Sequence, residues 1–176
     1  TDVPRLFDEA AQTRRLDRAA RCWPQADFLH RRAAEAIAER AQDVARPLPR
    51  TIITGSGGGV YAEALRGVSG IDKVAQFESS SGLAGHAAEA APWAATATAA
   101  DLGGVTPGEA DLVVSGLALH RANDPVGALV QARLALKPDG LLLGAMLGGQ
   151  TLHELRACLA EAEIAVEGGL SPRVAP

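Results

Sequence analysis

At 176 residues and a formal net charge of −4, the chain is long enough for one domain with a full core, and its charge balance gives no pull toward nucleic acid or an anionic membrane surface. Cys22 and Cys158 have no CxxC partner and no Cys/His cluster at ligand spacing, which excludes a cysteine-based metal site and fits a reducing compartment. No uncharged apolar run reaches the length of a membrane span, so a soluble or at most peripheral protein is expected; because the chain starts at Thr1 rather than Met, removal of a leading segment is also expected.

From Pro4 to about Arg21 the pattern predicts a basic helix with Pro4 in its first turn. Arg14, Arg15, Arg18 and Arg21 fall on one side, as a docking stripe for an acidic partner or as a solvated face. Pro24 interrupts, and Asp27 is expected to cap a second amphipathic helix from about Phe28 to Ala45. Residues 1–50 therefore read as an N-terminal helical lid, and residues 51–176 as the core.

Thr51 to Thr54 predict a buried strand that runs into Gly55, Gly57, Gly58 and Gly59 and leaves as a helix from Val60 to Arg66. Glycines permit a sharp turn and close approach of a ligand, and the helix N-terminus behind them would suit a carboxylate or phosphate. Gly55-x-Gly57-x-Gly59 is the spacing of S-adenosylmethionine (SAM) methyltransferases, while Gly57-x-Gly59-x-x-Ala62 satisfies a loose dinucleotide fingerprint; a tight turn without a ligand is the third alternative.

A second strand is predicted from Ile71 to Glu78. Glu78 lies nineteen positions after Gly59, where a doubly wound fold places the acid that holds the ribose hydroxyls; otherwise it is a solvent-facing strand end. A helix over Leu83 to Ala91 and a strand over Trp93 to Ala99 follow, with Asp101 either near an adenine amine or in a plain loop. Leu112 to Ser115 predict a buried parallel strand, and Asn123 or Asp124 caps the next helix, which runs to Pro138. His120 and Asn123 could touch a substrate at the end of that strand. After a turn at Lys137 to Gly140, Leu141 to Leu147 predict a fifth strand buried on both faces. Thr151 and Glu154 have capping-box spacing ahead of a last helix, and Glu167 to Pro176 predict a loop. The alternation of strands and helices predicts a parallel α/β sheet.

Asp111-Leu-Val-Val-Ser-Gly-Leu-Ala-Leu-His120, Leu136-Lys-Pro-Asp-Gly140, Gly144-Ala-Met-Leu-Gly-Gly149, Thr151-Leu-His-Glu-Leu-Arg156 and Glu167-Gly-Gly-Leu-Ser-Pro172 resemble the SAM-dependent methyltransferase-fold family that contains a mitochondrial complex I assembly factor acting as an arginine hydroxylase. More distantly the chain is similar to the carboxyl methyltransferases of biotin synthesis. The resemblance implies a class I methyltransferase (Rossmann-like) parallel sheet with helices on both faces. It implies SAM at Gly55, Ser56, Gly57 and Gly59, the ribose on Glu78, the adenine near Asp101, and Leu117 in the same cofactor set. It also implies a partner among respiratory complex I subunits or assembly intermediates, in the mitochondrial matrix or a bacterial cytoplasm.

Three features depart from that family. Its acid in the first strand falls at Ile53, the aromatic after His120 is Arg121, and its last strands would follow Pro176, leaving Leu141 to Leu147 near an open edge that a continuation or a partner would cover. These departures admit a second reading, a methyltransferase fold kept as a scaffold subunit without turnover. No iron-binding or other metal pattern is present in the sequence.

Overall fold

The computed structural model describes residues 5–171. It divides into a larger unit ending at Met146 and a smaller one beginning at Leu147. The larger unit starts with helix α1 (Glu9–Ala20), whose Asp8 side chain accepts from the Ala11 amide. The helix thus begins where a capping side chain is available, and the first-turn role read for Pro4 lies outside the described residues. Arg14, Arg15, Arg18 and Arg21 are exposed and, among the described residues, form no ion pair.

Pro24 does not break the chain as predicted but sits in the first turn of a short helix, α2 (Trp23–Ala26), where its missing N–H costs nothing. Helix α3 (Phe28–Gln42) follows. Asp27 stands at its start without a side-chain cap bond, because its carboxylate instead pairs with Arg31 at 2.8 Å.

Five parallel strands form one sheet in the order β3-β2-β1-β4-β5: β1 (Arg50–Thr54), β2 (Lys73–Glu78), β3 (Ala95–Thr98), β4 (Ala110–Gly116) and β5 (Leu136–Ala145). Short runs with β-branched residues build β1 and β4, which lie in the middle and are buried. Along them side chains alternate. Ile53, Leu112 and Val114 pack with Ile37 and Ala41 of α3 and with Leu65 of α4 (Val60–Leu65). Ile52 and Val113 pack on the other face with Ala132 and Ala135 of α6 (Pro125–Ala135), and α5 (Ser81–Ala90) joins β2 to β3.

The fifth strand differs from its reading. Lys137 to Gly140 is an interruption inside the strand, since Ala110 pairs with Leu136 and Leu112 pairs next with Leu141. Leu141, Leu142 and Leu143 are only half-buried, because β5 is an edge with a neighbour on one side.

In the smaller unit, α7 (His153–Glu167) ends at Gly168 in the left-handed region. The capping box does not form. Leu152 holds the cap position at φ 55°, and the Thr151 hydroxyl donates to the Gly148 carbonyl at 2.8 Å. Glu163 accepts from the Ser171 amide at 2.7 Å and from its hydroxyl, and the rest of the predicted terminal loop lies outside the described residues. No helix among the described residues is long and apolar enough to cross a membrane.

Candidate functional site

Connections run from β1 outward through β2 to β3, then return across β1 to β4 and on to β5. The reversal between β1 and β4 opens a crevice beyond the strand ends, the place where open α/β sheets bind ligands. A cavity of about 370 Å³ occupies it. Thr54, Gly55, Glu78, Asp101, Ser115 and Arg121 stand on its wall, and Glu9, Gln12 and Thr13 of α1 close it from outside.

The glycine turn meets this cavity on one side only. On the other, Trp23 of α2 and His30 of α3 lie directly against it. The Trp23 Nε1–H donates to the Gly57 carbonyl at 2.8 Å, and a Cβ on Gly58 would stand 2.7 Å from the Trp23 ring. A Cβ on Gly57 would reach His30 Nδ1 at 2.5 Å, and His30 in turn meets the Tyr61 hydroxyl at 3.3 Å. Both glycines hold positive φ, 57° and 69°, so they serve turn conformation and close packing together.

Three of the turn's amides are also occupied. Gly55 donates to Phe77, Gly59 to Ser56, and Gly57 to Glu78 Oε2 at 3.3 Å. Ser56 Oγ donates to the same oxygen at 3.1 Å, and the Ser79 amide holds Oε1 at 2.9 Å. Glu78 is therefore 1% exposed, which overturns the reading of a solvent-facing strand end: the strand delivers it under the turn. A carboxylate or phosphate at the Gly55, Gly57 and Gly59 amides would have to displace bonds the chain already makes.

Of the seven residues read as a cofactor set, the structure brings Gly55, Glu78 and Asp101 to the cavity wall. Ser56, Gly57 and Gly59 are buried within the turn and off the cavity wall, and Leu117, 6% exposed at φ 49°, spends its amide on the Ala145 carbonyl. Asp101 is exposed and its Oδ1 accepts from the Gly103 amide at 2.9 Å. Ile53, the position of the family's acid, is fully buried in the apolar layer beneath α3 and α4 and away from the cavity wall.

Asn123 does not cap α6; Asp124 does, through the Gly127 amide at 2.7 Å. The Asn123 side chain instead clasps the backbone of Phe7, accepting from its N–H at 2.8 Å and donating to its carbonyl at 3.0 Å, and donates to Glu9 at 2.9 Å. Gln12 adds a bond to the Arg121 carbonyl at 3.1 Å. At the opposite end of α1, Asp17 accepts from Ser80 Oγ at 2.6 Å and the Gly82 amide at 3.3 Å. Helix α1 thus spans the cavity and is tied down on both banks.

Sequence reasoning missed Ser115. It is 4% exposed, its hydroxyl has no partner in the described protein, and it stands on the cavity wall. Strand alternation was the available signal, because Ser115 follows Val113 onto the face opposite Leu112 and Val114. A buried hydroxyl without a partner and a volume in the small-ligand range fit a polar, nucleoside-sized ligand.

The Arg121 charge acts on three neighbouring side chains. Burial, followed by the Arg121 charge, lowers the pKa of His30 to about 4, with Asp27 opposing and His120 adding. Burial and Arg121 also lower that of His120, and burial raises that of Tyr61 against the opposing pull of Arg121. No group of side chains able to hold a metal ion occurs among the described residues.

Sheet order, switch-point cavity and glycine turn define a methyltransferase-type Rossmann-like fold. The chain belongs to the methyltransferase domain family, whose profile matches residues 53–144, just over half of its length. It is 34% identical over 97% of its length to the mitochondrial arginine-hydroxylase NDUFAF5 of Danio rerio, covering 54% of that protein. It is 31% identical to the malonyl-[acyl-carrier protein] O-methyltransferase of a Methylovorus species, over 86% of this chain and 55% of the other. The chain thus spans about half the length of the curated relatives it matches. Among solved structures, a methyltransferase in complex with the Haloferax volcanii Trm112 activator superposes with a TM-score of 0.66 at 20% identity, over 86% of this chain and 74% of that one, and shows the shared fold.

Proposed function

We propose that the cavity at the β1/β4 switch point binds SAM and that the protein acts, as a methyltransferase-fold component, in assembling mitochondrial respiratory complex I. The observation that carries the cofactor reading is the meeting of Gly55, Glu78, Asp101 and the partnerless Ser115 hydroxyl on one wall of a nucleoside-sized cavity. Asp101 would face the adenine and Ser115 a polar group deeper in. The similarity to mitochondrial NDUFAF5 supports the assembly role, with a complex I subunit or assembly intermediate as partner and the matrix as compartment.

A second reading, a scaffold subunit without turnover, is favoured by a specific observation. Glu78 is already held by Ser56, Gly57 and Ser79, and the turn amides of Gly55, Gly57 and Gly59 are already bonded. Calorimetric titration with SAM decides between them. Binding that weakens at least tenfold in Asp101→Leu, an exposed position whose change leaves the core intact, supports the cofactor site; no heat from the folded chain at millimolar SAM selects the scaffold.

A further inference from the structure

We propose that Arg121 makes its part of the cavity wall a subsite for a carboxylate-bearing small molecule. Four acidic residues share that wall with it, and each is already engaged. Glu9 accepts from Asn123, Asp101 from the Gly103 amide, Asp124 from the Gly127 amide, and Glu78 from the turn. Arg121 is half-buried, and among the described residues its guanidinium makes neither an ion pair nor a hydrogen bond; only its backbone carbonyl is used, by Gln12. A partly desolvated guanidinium presents fixed, forked donors that a carboxylate meets in bidentate fashion, and leaving them unpaired is costly.

The positive field of Arg121 reaches His30, His120 and Tyr61, and it is one cause of the two imidazoles being held neutral. Of the carboxylates acting there, Asp27 is committed to Arg31 at 2.8 Å and Glu78 to the turn. Ser115, buried with a hydroxyl that has no partner, independently marks the same cavity as one built for a polar ligand. The position after His120 is thus where this chain carries a cation free to meet an incoming anion.

Two sources could supply the carboxylate: the amino-acid end of the cofactor, which rests on the SAM reading above, or a second ligand. Calorimetry on the wild-type chain and Arg121→Gln separates them, with S-adenosylhomocysteine, 5′-methylthioadenosine (which lacks the amino-acid end) and succinate as probes. Circular dichroism checks that the variant folds. Loss of tenfold or more in S-adenosylhomocysteine affinity in Arg121→Gln, with 5′-methylthioadenosine unchanged, supports the proposal and assigns the cofactor as source. Succinate binding, with or without the nucleoside present, that vanishes in Arg121→Gln supports it and assigns a second ligand. If neither adenosine compound binds, the SAM reading fails while the succinate arm still tests Arg121. If Arg121→Gln changes no probe's affinity, or wild type binds none of them, the proposal is overturned.

Discussion

The two sides of the turn from Gly55 to Gly59 share one short backbone and meet opposite surroundings. One side is filled by the chain itself, with Trp23 over Gly58, His30 over Gly57 and the backbone of Ala87 3.0 Å from any Cβ on Gly59. The other, at Gly55, faces the cavity. The difference teaches that a glycine-rich turn need not spend all its glycines on a ligand. Here Gly57 and Gly58 let His30 and Trp23 close on the turn and Gly59 lets α5 approach it, while side chains that strand ends bring to the cavity line the other side.

That comparison can be broken most sharply from the packed side. Ile53→Asp, the change that would restore the family's acid, puts a carboxylate into a site with 0% exposure among Leu65, Leu112 and Val114. It is expected to destabilise the fold by about 4 kcal/mol, read as a drop in the urea midpoint. A variant that keeps its midpoint and gains SAM affinity would show that Ile53 faces the ligand after all.

Gly58→Val comes next, with an expected loss of about 3 kcal/mol, since φ is 69° and the new Cβ meets the Trp23 ring. Pairing it with Trp23→Ala recovers part of that loss if the clash is the cause. An unchanged cost in the pair would place the strain in the backbone alone.

The smallest effect sharpens the electrostatics beside the turn. His30 has a folded pKa of about 4 against an ordinary 6.5, so its neutral form is the one the fold favours. Stability from this group is present above pH 6.5 and is lost as pH falls toward 4. His30→Gln should flatten the decline of thermal midpoint across that window; an identical slope in the variant would mean other groups carry it.

Much of the fold is legible in the residues. A β-branched run marks β1, continuous apolar residues mark β4, and the first glycine after Thr54 marks the turn. Those signals are local, and so is Asp124 capping α6. What escaped reading depends on partners far along the chain. Glu78 is withdrawn from solvent by Ser56 and Gly57, 22 and 21 residues away, and nothing next to it announces that. Asn123 looks like a helix cap and becomes a clasp only because Phe7 arrives from 116 residues away. Thr151 had the spacing of a capping box, but its hydroxyl found the Gly148 carbonyl first.

The Asn123 clasp also couples two distant stretches of chain. The segment between β4 and α6 holds the start of α1 through both bonds from Asn123 to Phe7, so a movement of that segment is passed directly to the helix that covers the crevice.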